Sequence, residues 1–347
     1  MLKANKFKEI NLNDNFFDSL KADYAEFSDW FARKAEETAY VFYGEDESIE
    51  GFLYLKSENG PIEDVSPALP DKRRIKVGTF KINPHGTRLG ERFIKKIFDH
   101  AIANDAEEIY VTAFQKHEAL INLLQRYGFK AIARKSTSNG DELVLLKQFN
   151  SDDTDALLRY PQISITKNSY LLSLYPEWHT RLLPDSILRN ESSTILEDIS
   201  HTNSIHKVYL AAMRGMEALQ RGDNLVIYRT SDEPGRAWYR AVATTICVVE
   251  EYRNISSFAD ISAFLKYCEP YSVFTPEELN QFWRTRRFPH VIRFSYNIAL
   301  PRRLTRGHLV DNIGLSESAY WGFMPLSQSQ FKQVLQDGGV NENLIVD

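Results

Sequence analysis

A glycine-containing turn before an apolar helix is where this sequence first suggests chemistry. Residues 85–96 read HGTRLGERFIKK, with glycines at positions 86 and 90. At a helix start several backbone N–H groups lack partners, and the helix dipole adds partial positive charge. A diphosphate placed there is held by the backbone, and glycine allows its close approach. An ordinary helix N-terminus, a surface turn and chance are the alternatives, and the surrounding elements decide between them.

Two familiar phosphate-binding loops do not account for this turn. A dinucleotide-binding turn requires G-x-G-x-x-G and an acidic residue about twenty positions further on. A Walker loop requires G-K-S or G-K-T. Residues 85–96 contain neither pattern.

Length and composition bound the class of protein. A chain of 347 residues exceeds one typical core, which predicts two domains. Hydrophobic residues make up 43% and charged residues 26%, as in soluble globular proteins. No apolar run is long enough to span a membrane, and the N-terminus lacks the apolar core of a signal peptide. Because the two cysteines have no CxxC spacing, a reduced cytoplasmic setting is predicted.

The net charge and the spacing of the histidines restrict the kinds of ligand that the chain is expected to bind. The net charge of −5 argues against general nucleic-acid affinity, although a local patch can override a global sum. The eight histidines are scattered, so no metal site is predicted.

A polar, aspartate-rich stretch, KQFNSDDTDALLRYPQ, separates two halves of the chain. It follows an apolar strand and is typical of a linker. The predicted domains are residues 1–150 and 165–347, joined by a linker over 151–164.

Hydrophobic spacing predicts the elements of the first half. Apolar residues at helical spacing predict a helix over 16–37, and two strand-like runs around GEDES predict a hairpin. A strand over 72–83 leads into the turn, and a helix follows the turn. A strand over 107–114, a helix over 116–129 that ends at Gly128, and two further strands complete this half.

This order of elements, with the turn and the later LLQRYGF, resembles the GCN5-related N-acetyltransferases (GNAT fold). In that family the turn has the form Arg/Gln-x-x-Gly-x-Gly/Ala. Here His85 replaces the usual Arg or Gln, and Arg88 replaces the first Gly. Arg88 would instead add a charged donor beside the backbone amides. The resemblance implies an α+β fold, a mixed sheet flanked by helices, with acetyl-CoA as co-substrate.

The same resemblance implies which residues bind acetyl-CoA. The backbone of residues 88–91 would hold the pyrophosphate, and the strand before the turn would offer main-chain groups to the pantetheine arm. The implied cofactor-binding residues are Phe80, Ile82, His85, Gly86, Thr87, Arg88, Leu89, Gly90 and Glu91.

The catalytic residues follow less directly. Acetyl transfer needs an unprotonated nucleophile, a group that stabilises the carbonyl oxygen and a proton for the leaving thiolate. Many family members supply that proton from a Tyr four residues before the Gly of Gly-Phe, where this chain has Leu124. Another group is therefore the acid, the thiolate leaves unaided, or the domain binds CoA without turnover. The candidate catalytic residues are His117 (at the position of a family Asn), Tyr127, Glu91 and Glu142.

The second half alternates strands and helices. Residues 206–220 predict a helix, and residues 237–254 predict a long strand. SFADISAFLKYC and TPEELNQFWRTRRF predict two more helices, the second with a capping box. Short strands around a Gly-Asp turn resemble the PUA-like group (PUA, ASCH and EVE domains) over residues 165–330. The resemblance implies a small β-barrel with helices that binds RNA or modified bases.

A run of arginines gives the RNA interpretation separate support. Residues 270–310 contain seven arginines, no lysine and two acids. The planar arginine fork fits phosphate and stacks on bases, and Trp283, Phe288, Tyr296 and His290 interleave as a nucleic-acid groove requires. An ordinary solvated basic face with core aromatics is the alternative. The predicted nucleic-acid contacts are Arg284, Arg286, Arg287, Arg302, Arg303 and Arg306, with Arg293 in the same run.

Three functions are compatible with these features. The first is an acetyl-CoA-dependent N-acetyltransferase acting on an RNA-linked acceptor, such as tRNA or aminoacyl-tRNA, by analogy with toxins of the GNAT family. The second is a regulatory module that binds CoA and RNA through a degenerate GNAT site. The third is N-acetylation of a protein or a small amine.

Overall fold

The computed structural model describes residues 2–83, 86–149, 153–186 and 200–347. The chain forms two compact units, Met1–Asp152 and Asp153–Asp347. Each unit combines a large sheet with helices, so the α+β class is confirmed. No helix within the described ranges is long and apolar enough to cross a membrane.

The first unit is a seven-stranded sheet in the order β1-β2-β3-β4-β5-β7-β6. All neighbouring strands are antiparallel except β4 and β5. The strands are β1 (Leu2–Lys6), β2 (Thr38–Tyr43), β3 (Ile49–Ile62), β4 (Leu69–Ile82), β5 (Glu108–Phe114), β6 (Lys130–Thr137) and β7 (Gly140–Gln148). The helices are α1 (Asp18–Asp23), α2 (Phe27–Arg33), α3 (Leu89–Ala103) and α4 (Glu118–Arg126).

The parallel pair β4–β5 opens at its carboxyl end. The two strands pair only from Arg74 with Glu108 to Val77 with Val111. Beyond that point β4 continues to Ile82 on β3 alone, while β5 continues to Phe114 on β7 alone. The antiparallel neighbours β3 and β7 therefore hold β4 and β5 apart beyond their last paired residues.

The single helix predicted over 16–37 is wrong, because two short helices replace it. Helix α1 ends at Asp23, Tyr24 takes an extended conformation, and α2 begins at Phe27. The apolar spacing is nevertheless used, since Phe17 and Phe31 are buried in one cluster around the aromatic core of this unit. After the break, the Tyr24 side chain packs at the margin of that cluster and contacts the ring of Phe114 and the Glu142 carboxylate.

The elements on either side of the turn agree with the prediction. A helix follows the turn, and helix α4 is followed by Gly128 at a φ of 82°, the left-handed conformation expected of its stop. The two strands predicted after it form the β6–β7 hairpin.

The second unit contains a six-stranded sheet in the order β10-β13-β12-β11-β9-β14 and a small β15-β8 pair. Its strands are β8 (Ile163–Ser164), β9 (Ser169–Leu174), β10 (His206–Ala211), β11 (Asn224–Arg229), β12 (Val242–Asn254), β13 (His290–Thr305), β14 (Phe323–Leu326) and β15 (Ile345–Val346). Its helices are α5 (Pro176–Leu182), α6 (Ser200–Asn203), α7 (Ala237–Arg240), α8 (Ile261–Cys268), α9 (Pro276–Thr285), α10 (Arg306–Asp311) and α11 (Gln328–Asp337).

The helix predicted over 206–220 is wrong. His206–Ala211 forms strand β10, and all six of its residues are buried. A strand buried on both faces has no alternation, so its periodicity cannot be told from that of a buried helix. The capping box predicted for α9 is confirmed, with Thr275 and Glu278 each bonded to the backbone of the other.

The described residues of the proposed linker pack within the second unit. The buried Tyr160 donates its hydroxyl to the carbonyl of Tyr296 over 3.0 Å. Asn297 Nδ2 donates to the carbonyl of Pro161 over 3.1 Å, and Ile163–Ser164 pairs with β15. Residues 153–164 are therefore packed as part of the second unit and do not form a free linker.

The Tyr160 contact can be tested by removing one atom. Tyr160→Phe should lower the free energy of unfolding of the second unit by about 1–2 kcal/mol, since it leaves a buried carbonyl without this donor. Urea unfolding followed by tryptophan fluorescence measures this, because four of the five tryptophans lie in that unit. The exposed Tyr175→Phe is the control. Equal midpoints for the two variants would contradict the docking of this segment.

Candidate functional site

The open part of the β4–β5 pair leaves one edge of β4 accessible to a ligand. Phe80 and Ile82 pair with Leu53 and Gly51 of β3. Within the described ranges no strand pairs with β4 on its other side beyond Val77. Alternate peptide groups of β4 therefore face the opening. An extended ligand can bind to them as an additional strand would.

The glycine turn lies directly after this edge. Gly86 has a φ of 82° and Arg88 a φ of 58°, so both are left-handed. His85, which the sequence assigns to the same site, lies outside the described residues, as does Pro84. Arg88 is the N-cap of α3, and its side chain carries only donors. This helix start therefore lacks the Ser, Thr, Asp or Asn cap that usually accepts its first amides.

Glu91 lies between two guanidinium groups at this helix start. Its buried carboxylate is 3.6 Å from Arg88 Nη1 and 3.5 Å from Arg126 Nη1. The structure thus uses Glu91, a predicted catalytic residue, to hold two arginines beside the first turn of α3. Two cations, one carboxylate and the positive end of the helix dipole suit an anionic ligand.

Gly90 serves helix packing. A Cβ atom there would lie 3.0 Å from Leu123 Cδ2 and 3.1 Å from Ile82 Cδ1. The glycine therefore lets α3 approach α4 and β4. Gly86 and Arg88 supply the special backbone conformation of the turn.

A second group of side chains meets at the carboxyl end of β5; we call it the β5-end cluster (Asp23, Tyr24, Phe114, His117, Glu142). Glu142 pairs in register with Phe114, and its buried carboxylate accepts the Tyr24 hydroxyl over 2.8 Å. The Tyr24 ring stacks on Phe114 with centroids 5.3 Å apart. His117 Nε2 lies 3.2 Å from Asp23 Oδ2. Two predicted catalytic residues, His117 and Glu142, are thus brought to one place.

Tyr127 lies away from this cluster. It follows the last residue of α4, whereas His117 precedes the first, so about 15 Å of helix separates the two positions. Its side chain is fully buried, as is that of Leu124.

The β5-end cluster combines a carboxylate, Glu142, that can accept a proton with a phenol, Tyr24, that keeps its proton. Burial, followed by the hydrogen bond to Glu142, raises the pKa of Tyr24 well above its ordinary value. The phenol therefore stays protonated and donates. The sequence interpretation missed Asp23 and Tyr24 because it placed both within one long helix over 16–37.

The basic run of the second half does not form one surface. Arg284, Arg286 and Arg287 lie at the end of α9, before β13 begins. Arg302, Arg303 and Arg306 lie at the other end of β13, a 16-residue strand that spans about 50 Å. Arg293, between them, pairs with Glu250 over 2.8 Å. The single groove predicted over 284–306 is therefore wrong, because an extended strand separates its ends.

The aromatic side chains predicted to line that groove belong to the core. Tyr296 is buried, with its hydroxyl 2.7 Å from Ser186 Oγ. Trp283 and Phe288 pack on the core, covered by Arg286 at 3.7 Å and Arg287 at 5.3 Å.

A buried polar chain that the sequence interpretation did not identify runs through the second unit. His179 Nε2 lies 2.8 Å from Thr244 Oγ1, and Thr244 lies 3.1 Å from Thr245 Oγ1. Thr245 continues to Ser186 over 2.6 Å. Burial, then the nearby Arg229 and Arg303, lower the pKa of His179 to about 3, so the imidazole is neutral. Across the described residues, no three His, Cys, Asp or Glu side chains are grouped as a metal would require.

Comparison with solved structures finds similarity to both fold groups that the sequence resembles. The ASCH structure from Zymomonas mobilis has 9% sequence identity and a TM-score of 0.31, covering 48% of this chain and 94% of that one. Naa20 from Chaetomium thermophilum, in complex with a bisubstrate analogue, has 15% identity and a TM-score of 0.32, covering 43% and 86%. The NatC complex bound to Gag peptide and CoA has 16% identity and a TM-score of 0.29, covering 42% and 98%. No family profile and no curated protein matches the chain.

The neutral His179 should make the second unit sensitive to acid. Its folded pKa lies below the unfolded value of about 6.5, so stability is complete above pH 6.5 and is lost as pH falls towards 3. Between pH 6.5 and 5 one such histidine costs about 2 kcal/mol. His179→Gln keeps a donor for Thr244 and should flatten the pH dependence of urea unfolding, read from tryptophan fluorescence. The control is His117→Gln, and identical pH profiles for wild type and His179→Gln would contradict the assignment.

Proposed function

We propose that the protein is an acetyl-CoA-dependent N-acetyltransferase. The observation that carries this proposal is the open β4–β5 pair, which leads straight into a left-handed turn and an arginine-flanked helix start. The resemblance of this succession to the GNAT turn names the ligand. Its extended pantetheine arm suits the edge of β4, and its diphosphate suits the start of α3.

Specific residues would hold that ligand. The peptide groups around Phe80 and Ile82 would bind the arm, and the backbone of residues 86–91 would bind the diphosphate. Arg88 and Arg126 would add charge-assisted hydrogen bonds, because Glu91 already holds both beside the helix start. Bound acetyl-CoA supplies an activated acetyl thioester.

The β5-end cluster would supply the proton chemistry. An acceptor amine must lose a proton before it can attack a carbonyl carbon. Glu142 Oε1 accepts the Tyr24 hydroxyl, which leaves Oε2 to take the amine proton. The new C–N bond replaces the C–S bond of the thioester, and CoA would leave as the thiolate. Tyr24 fixes the carboxylate in place, and Asp23 together with His117 borders the same end of β5.

The acceptor we propose is an amine linked to RNA, such as tRNA or aminoacyl-tRNA. Arginine is the basic residue at both ends of β13, and its geometry suits phosphate. Within the described ranges, no carboxylate forms an ion pair with the six arginines that the sequence singled out. A cytoplasmic setting and the absence of a membrane partner belong to the same proposal.

A second function is favoured by one observation. Leu124 occupies the position of the usual family Tyr and is fully buried, and so is Tyr127. A protein that binds CoA and RNA without turnover would have no need of an acid there. Release of free thiol from acetyl-CoA separates the two functions, because a binding module shows affinity without release. If protein or small-amine acceptors are acetylated and RNA is not, the third function applies.

Arg88 provides a direct test of the CoA site. Arg88→Asn tolerates a left-handed backbone and removes the charge, so we expect the Kd for CoA to rise about tenfold or more. Isothermal titration calorimetry measures it. Arg92→Asn, on the same helix, is the matched control. If both variants bind CoA as wild type does, the cradle at the start of α3 is contradicted.

Glu142 provides a test of the proton chemistry. Glu142→Gln should lower thiol release by about 100-fold while the affinity for CoA stays unchanged, since the amide cannot accept the amine proton. Tyr24→Phe keeps the stack on Phe114 and should cause a smaller loss. Full activity of Glu142→Gln, measured with a thiol reagent, would remove Glu142 from the reaction.

A further inference from the structure

Exposed tyrosines gather at one end of the second sheet. Four large apolar side chains are exposed in the part of the chain that the structure describes, and three of them are Tyr175, Tyr239 and Tyr320, at 64%, 77% and 59% exposure. Tyr175 follows the end of β9, and Tyr239 lies in α7 just before β12. β9 and β11 run in parallel and end together, at Leu174 and Arg229.

Arg306 connects the segments that carry these tyrosines. Its backbone N–H donates to the carbonyl of Ala241, at the end of α7, over 2.9 Å. Its guanidinium lies 4.4 Å from the Trp321 ring centre and donates to the carbonyl of Glu317 over 3.1 Å. Tyr239 and Tyr320 therefore lie on segments that border Arg306 on two sides.

Tyr175 belongs to the same end of the sheet. Ser173, two residues earlier, pairs in register with Tyr228 of β11 and donates its backbone N–H to the carbonyl of Gly322 over 2.9 Å. Its hydroxyl donates to the carbonyl of Trp321 over 2.5 Å. The segment before Tyr175 is thus fastened to the segment that carries Tyr320.

Among the described residues, no carboxylate forms an ion pair with Arg303 or Arg306. Arg303 donates to the carbonyls of Leu300 and Thr244, and Arg306 to that of Glu317, all of which are neutral acceptors. Two carboxylates of the segment before α7 are taken by other arginines: Asp232 holds Arg240 through two bonds of 2.6 Å, and Glu233 lies 3.2 Å from Arg236. Neither of these two acids neutralises Arg303 or Arg306.

We propose that this tyrosine–arginine rim (Tyr175, Tyr239, Tyr320, Arg303, Arg306) binds single-stranded RNA. The inference rests on the proposed RNA-linked acceptor and specifies where that RNA binds. Exposed phenol rings stack on unpaired bases, and guanidinium groups pair with the phosphates between them. A duplex hides its bases from such rings.

The other basic end offers a weaker surface for this purpose. Arg286 covers the ring of Trp283, and Arg287 lies over Phe288, while both rings pack against the core. A base has no open ring to stack on there. The rim, rather than the end of α9, therefore combines free aromatic faces with free charge.

The test is fluorescence anisotropy with the full chain and a labelled 12-nucleotide single-stranded RNA of mixed sequence. We expect Tyr239→Ala and Tyr320→Ala each to weaken binding about tenfold, while the Phe variants retain it. Arg306→Gln should reduce the slope of log affinity against log salt by about 0.7. Lys266→Gln, an exposed single-charge change on α8, is the matched control. The same RNA in a duplex should bind more weakly than the single strand.

Several outcomes would overturn the rim. Unchanged affinity in both Tyr→Ala variants would do so, as would loss of binding only on Arg284→Gln with Arg287→Gln, or preference for the duplex. Failure of the rim is distinct from failure of the proposed enzyme. If only the rim is wrong, the affinity for CoA and the release of thiol with a small amine stay intact. If the proposed enzyme activity is wrong, no acceptor gives thiol release, while RNA binding persists.

Discussion

The first unit depends on one constraint, the parallel pairing of β4 with β5 in a sheet that is otherwise antiparallel. A parallel pair needs a crossover, and α3 provides it, so the start of α3 must follow the carboxyl end of β4. The pair is short, because β3 draws β4 away on one side and β7 draws β5 away on the other. One arrangement therefore creates the open edge, places the turn at its end and leaves Glu142 at the tip of β5.

The order of elements from β2 to β7 was predictable, since hydrophobic spacing, the glycine turn and Gly128 are local signals. The β5-end cluster was not. Tyr24 meets Glu142 across 118 residues, and only the break between α1 and α2 turns it in that direction. A phenol at helical spacing has the same pattern whether it packs in the core or leaves it, so sequence periodicity cannot separate the two.

The second unit shows a different limit of sequence reasoning. Local charge density predicted one basic groove, but a count along the chain ignores how far an extended strand carries its ends apart. Likewise, Tyr296 and Trp283 are close in sequence to arginines and are nevertheless core residues. The exposed tyrosines Tyr175, Tyr239 and Tyr320 come from separate segments, and Arg306 contacts the segments of the last two. The sequence shows the individual arginines and tyrosines, but only the structure of the sheet shows which of them lie together.

The charges of the two proposed sites constrain the acceptor more than either does alone. At the β5 end the carboxylate of Asp23 pairs with Lys116, and that of Glu142 accepts the Tyr24 hydroxyl. Such a place favours a cationic amine and repels phosphate. The rim has the opposite preference, because Arg303 and Arg306 donate to neutral carbonyl oxygens and, within the described ranges, form no ion pair with a carboxylate. The proposed acceptor, an aminoacyl group on RNA, combines an amine with a polyanion and so carries both kinds of charge, whereas a free small amine carries only the first.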